Sequence, residues 1–172
     1  AVAYAVPIDS IIEGIYLSNA VRTSSPICPT SYLYEKDAKL YNYSLDGAKK
    51  YFELAGFKAE NDTGIRKREQ DGDVQQLSFR LLVNSESEER VQIARKIQEE
   101  LRAVGCEINI ESVPFEEYTQ KLESGDFDMF LGGWQMSAEP YPGFMLSSAQ
   151  IGGTNYISYS SEKMDQLLSA AY

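Results

Sequence analysis

The stretch "LSFRLLVNSESEERVQIARKIQEELRAVGCEINIES", residues 77–112, carries two hydrophobic periods in succession. Leu77, Phe79, Leu81 and Val83 alternate with Ser78, Arg80 and Asn84, the period of two expected of a half-buried strand. Val91, Ala94, Ile97, Leu101 and Val104 then recur at helical spacing. Ser85 or Ser87 can cap that helix, acids load its first turn, and Gly105 can end it. Residues 106–112 alternate again, with Ile108 and Ile110 on the inner side. A strand, a helix long enough for a crossover, and a second strand read as a parallel α/β unit.

The pattern continues outward. "PFEEYTQKLESG", residues 114–125, reads as a short helix opened by a proline and closed by Gly125. "FDMFLGGW", residues 127–134, reads as a third strand. In open α/β sheets the ligand crevice lies beyond the strand carboxyl ends, which places "GGWQMSAEP" at such an end. Upstream, "SLDGAKKYFELAGF" predicts a helix capped by Ser44, with Leu45, Ala48, Tyr51, Phe52 and Ala55 in one stripe and Gly56 as terminator. "DSIIEGIYL" predicts a shorter helix with Asp9 or Ser10 as cap. Residues 18–43, interrupted by Pro26 and Pro29, read as an irregular connection. Its Tyr32, Tyr34, Tyr41 and Tyr43 read either as half-buried packing or as the wall of a ligand groove. Residues 58–73 are polar and turn-rich and read as a solvated loop or hairpin, without the ligand spacing of an EF-hand.

Composition narrows the function classes. The 172 residues suffice for one core, and 43% of them are hydrophobic. A net charge of −10 argues against nucleic acid, whose phosphates need a basic face. No apolar run approaches a membrane span of roughly 20 residues. The start, "AVAYAVPIDS", has no basic segment or long apolar run of a signal peptide and reads as the last turn of a helix. The end, "KMDQLLSAAY", stops within an amphipathic pattern, so a fragment of a longer protein is expected. With no histidine, Ser-His-Asp and Cys-His catalysis are excluded, and no metal site is expected. Cys28 and Cys106 read as two separate thiols, with a disulfide between them left open.

These stretches together resemble the oligopeptide/dipeptide-binding family of ABC-transporter solute-binding proteins. The resemblance covers nearly the whole chain: "AYAVPIDSIIEGIYL", "YNYSLDGAKKYFELAGF", "GIRKREQDGD", residues 77–134, "AEPYP" and "GGTNYISYSSEKMDQLL" fall in the family's order and spacing. It implies a type II periplasmic-binding fold, α/β with a central mixed sheet flanked by helices. Residues 1–172 would form a single lobe, the second large one, truncated at both ends. It implies an exported, extracellular or periplasmic protein, lipid-anchored through its parent in a Gram-positive cell. Its partners would be a peptide or other small solute and the ABC permease subunits, with the protein itself monomeric and without cofactor.

On that resemblance, Gly132, Gly133, Trp134, Gln135 and Met136 form the edge that meets the ligand. A glycine pair admits backbone against backbone, and tryptophan supplies a flat apolar wall with one donor. The alternative is a bent strand with Trp134 in the core. Peptide binders often carry an aspartate soon after this tryptophan, where this chain has Ser137 and Ala138. Glu139 either substitutes as partner of a peptide ammonium or is a loop acid outside the site. Asn155 and Tyr156 either approach the cleft or serve turn chemistry. Non-peptide solutes, such as an oligosaccharide or a nickel complex, stay open. An enzyme would need acids such as Asp126, Asp128 and Glu139 around a substrate, as in a carboxylate-based glycosidase. A structural secreted domain is the remaining alternative.

Overall fold

A strand followed by a capped helix does form where the two periods meet. In the computed structural model, which describes residues 1–59, 64–136 and 140–171, β3 spans Ser78–Asn84 and β4 spans Glu107–Val113. Between them α4 runs over Glu88–Ala103, with Ser87 as its cap, its hydroxyl accepting from Arg90 N. Gly105, at φ +79°, turns the chain out of the helix. The strands pair in parallel, Ser78 against Glu107 through Asn84 against Val113. β5 (Met129–Phe130) pairs in parallel on the other side of β3, giving the order β4-β3-β5. β3 is thus central, and Leu81, Leu82, Val83 and Asn84 are all buried, so both its faces are covered at the carboxyl half.

The chain forms two compact units. The first contains Ala1–Arg22, Leu40–Phe115 and Asp128–Leu131; the second contains Thr23–Lys39, Glu116–Phe127 and Gly132–Tyr172. The core of the first joins Leu77, Leu81 and Val83 of the β3 stretch to Ala94, Ile97 and Leu101 of α4, with Ile108 of β4 and Cys106 just before it. The short helices α1 (Val2–Ala5) and α2 (Ile8–Gly14) add Ala5 and Ile11 to it, and α3 (Leu45–Leu54) adds Ala48 and Phe52. Ser44 caps α3 as expected, accepting from Gly47 N. α2 starts two to three residues earlier than expected: Pro7 stands at its cap without a side-chain bond, and Asp9 lies in the first turn.

The polar stretch is a hairpin, β1 (Lys67–Gln70) against β2 (Asp73–Gln76). Asp71 and Gly72 between them both have positive φ, as a two-residue hairpin turn demands. The connection is irregular as read, but Tyr32 is 86% exposed rather than half-buried. Tyr43 in the same connection donates to Glu100 of α4, and that bond to a carboxylate pushes its phenol up to about 12. Both cysteines are free thiols, Cys28 exposed and Cys106 buried. The second unit carries α5 (Phe115–Ser124) from Glu116 onward, α6 (Gly143–Leu146), a 3-10 turn over Ser148–Gln150 and α7 (Glu162–Ala171). Among the described residues no helix is long and apolar enough to cross a membrane.

Candidate functional site

The third strand is shorter than its apolar run. β5 holds only Met129 and Phe130, with one further bond from Leu131 N to Leu82 O. The physical reason is Asp128. Its Oδ2 accepts from Arg80 N at 2.7 Å, so a side chain takes the ladder donor opposite it. Beyond Leu131, the glycine pair has no side chains to hold a pleat. Gly132 to Met136 are therefore not a strand edge. They are irregular backbone, exposed through Gln135 and half-buried at Met136.

Trp134 does not fill a core. It is 43% exposed, and its ring meets Phe144 at 6.1 Å between centroids, tilted by 55°. Phe144 lies in α6, where its carbonyl accepts from Thr154 Oγ1. Thr154 also reaches Gln150 Oε1. The tryptophan therefore rests on a segment that the "GGTNY" turn holds in place.

Asn155 is the centre of that turn and is buried. Its amide nitrogen donates to Ser147 O at 3.0 Å and Tyr159 O at 2.8 Å, and its oxygen accepts from Tyr159 N at 3.0 Å. Both amide protons are thus committed to backbone, the turn chemistry that the sequence offered as one of its two readings. Its neighbour Tyr156 is half-buried. Asp165 of α7 supports the same region, accepting from Ser148 N at 2.9 Å and Ser148 Oγ at 2.6 Å. Those two donors hold its carboxyl below the usual range. Ser137 and Glu139 lie outside the described residues.

The second unit thus brings Trp134 and the Asn155 turn into one construction, linked through Phe144 and Thr154. Phe144 and the neighbouring Tyr141 are not among the expected site residues, although "PYPGF" pairs two aromatics with two prolines and a glycine, a local signal of an aromatic turn. Two open cavities of the first unit, about 550 and 400 Å³, contain none of the expected site residues. Of the acids invoked for a glycosidase, the two that are described have structural partners: Asp126 is paired with Lys121 at 2.7 Å, and Asp128 holds Arg80. Among the described residues no cluster of acids and cysteines could hold a metal ion.

Comparison with known proteins gives the arrangement a context. The family described as bacterial extracellular solute-binding proteins, family 5 middle, matches residues 1–155. The oligopeptide-binding protein AppA of Bacillus subtilis is 29% identical over 176 residues, covering 99% of this chain and 32% of AppA. The structure of AppA in complex with a nonapeptide superposes with a TM-score of 0.88 at 28% identity, over 99% of this chain and 34% of that one. NikZ from Campylobacter jejuni, in complex with Ni(L-His), superposes with a TM-score of 0.85 at 27% identity, over 99% and 34%. The chain therefore spans about a third of the length of these relatives.

Proposed function

The chain belongs to the family 5 bacterial extracellular solute-binding proteins, and from that premise we propose that it is one lobe of a receptor that captures peptides and delivers them to an ABC permease. The observation that carries this reading is the exposed run Gly132–Gln135. It presents backbone and the face of Trp134 together, the two things a main-chain-reading peptide site needs. The likeness to AppA, whose structure holds a nonapeptide, supports peptide over other solutes.

In the proposed mechanism a peptide lies across Gly132 and Gly133, where no Cβ keeps its backbone away. Trp134 covers one of its side chains. In the same proposal Met136 and Tyr156 add apolar contacts, and Ser137, Gln135 and Glu139 supply polar contacts, Glu139 toward a peptide ammonium. Asn155 contributes through the turn it builds. The second lobe closes over the ligand, and the closed form is what the permease recognises. The protein acts outside the membrane as a monomer, tethered by a lipid on its full-length form, and binds without chemistry.

A second reading has one observation behind it, the NikZ likeness at 27% identity: a small metal chelate in the same place. Native mass spectrometry of the full-length protein, purified from a peptide-rich host, separates the two. A ladder of masses matching short peptides is the expected outcome. A single discrete mass, that of a chelate or a sugar, would overturn the peptide reading and keep the fold.

A further inference from the structure

Tyr141 lies with its ring over Gly143, two residues further on. A methyl group built on Gly143 would fall on Cε1, Cζ and Oη of that ring. Gly143 is the first residue of the four-residue helix α6. It is not among the glycines with positive φ, so backbone conformation does not demand glycine there. What uses the bare Cα is the ring: a Cβ at this position would push Tyr141 out of the place it occupies.

This seat is part of the construction that carries Trp134. Pro140, before Tyr141, is fully buried, and Pro142 stands at the cap of α6. Phe144, after Gly143, meets Trp134. Despite so tight a turn, Tyr141 stays 45% exposed and Trp134 43%. Two large rings, each with an apolar body and a polar handle, are thus packed on one side, Tyr141 on Gly143 and Trp134 on Phe144, and open to solvent on the other. Tyrosine and tryptophan are the side chains that most often dominate a bound partner's affinity, and their few torsions leave little rotamer freedom to lose.

We propose that Tyr141, seated on Gly143, is a specificity-determining residue of the solute site that begins at Trp134, favouring an aromatic side chain of the bound peptide over a small one. This rests on the peptide reading above. Gly143 is the positioning residue, acting only through the ring it admits.

The test uses the full-length protein and two sets of probes. One set is alanine-based peptides of three to nine residues. The other is the same peptides with a single phenylalanine moved through each position. Dissociation constants come from titration calorimetry, and melting temperatures are measured in parallel. The wild type should prefer the best phenylalanine peptide by about fivefold or more, the scale of one aromatic pair. Tyr141→Ala and Gly143→Ala should each bring that ratio down to about twofold, leaving the alanine peptide nearly unaffected. Combining them should add nothing, because both remove one seated ring. Tyr141→Phe should keep the ratio.

An unchanged ratio in Tyr141→Ala, which leaves the glycine in place, would overturn the inference. So would an equal loss for both probe sets, which is the mark of a structural role. Equal wild-type affinity for both sets would overturn it while leaving the peptide reading intact. Binding of neither set would remove the peptide reading and this inference with it.

Discussion

Arg66 shows what one residue can do that its sequence neighbourhood hides. It sits in "GIRKREQDGD", a run that reads as solvated, yet it is buried. Its Nε donates to Val104 O at 2.8 Å, and its Nη1 donates to Phe57 O at 3.1 Å and Glu53 Oε1 at 3.3 Å. The guanidinium thereby satisfies carbonyls just past the ends of both α3 and α4, where helices leave acceptors without partners. Nothing in a polar run marks which of several basic residues will be drawn inward, because the decision is made by carbonyls far along the chain. Arg66→Met keeps much of the stem and removes the donors. It should cost about 2–4 kcal/mol, the range for charge-assisted bonds to buried acceptors, read as a lowered urea midpoint. A loss below about 0.5 kcal/mol would show that water replaces the guanidinium. The two cysteines separate at the same scale. Burial pushes the Cys106 thiol up to about 12, whereas the Thr30 hydroxyl beside Cys28 lowers that exposed thiol. A disulfide reagent at pH 8 should titrate one thiol in the native chain and the second only after unfolding. Two fast thiols would mean that Cys106 is reached in the folded state.

At the scale of elements, legibility followed periodicity. β3, α4 and β4 could be read because each sets a long apolar face against polar residues, and Ser44 and Ser87 mark helix starts by their own chemistry. β5 was overestimated because an apolar run says nothing of which backbone groups find partners. Asp128 took the donor of Arg80, and the run ended in glycines. The second unit has few periodic elements and was the least legible: its turn is held by Asn155, Thr154 and Asp165, single polar side chains whose partners lie several residues away or more. Asp165 gives this arrangement a pH signature. Its carboxyl is held below its ordinary 3.8 by the two Ser148 donors, so its contribution is complete above pH 3.8 and is lost as pH falls through the lower folded value. Asp165→Asn should therefore lower the melting temperature at pH 7, and the gap to wild type should close as the pH is taken below 3.8. A gap that stays constant down to pH 2 would show that the carboxylate charge is irrelevant to the link between α7 and the 3-10 turn.

For the whole molecule the decisive quantity is how much of a ligand this chain can cover. It spans about a third of its relatives, and the exposed run at Gly132–Gln135 offers one face. Pockets that hold small ligands tightly bury roughly 70–90% of the ligand surface, whereas a single open face leaves about half of it wet. On the proposed function, closure by a second lobe adds the missing contacts and removes water from the polar ones, strengthening each of them. Losing those contacts should cost at least about 3 kcal/mol, or roughly a hundredfold in affinity. The net charge of −10 works in the same direction for acidic peptides and against it for basic ones, but only within a Debye length of about 8 Å at physiological salt. The comparison is direct. The same peptide is titrated into the full-length protein and into residues 1–172, with circular dichroism to establish that the shorter chain is folded. A folded chain that binds at least a hundredfold more weakly is expected. Equal affinity would place the entire ligand on Trp134, Tyr141 and the exposed backbone beside them, and would leave the second lobe with no energetic part in capture.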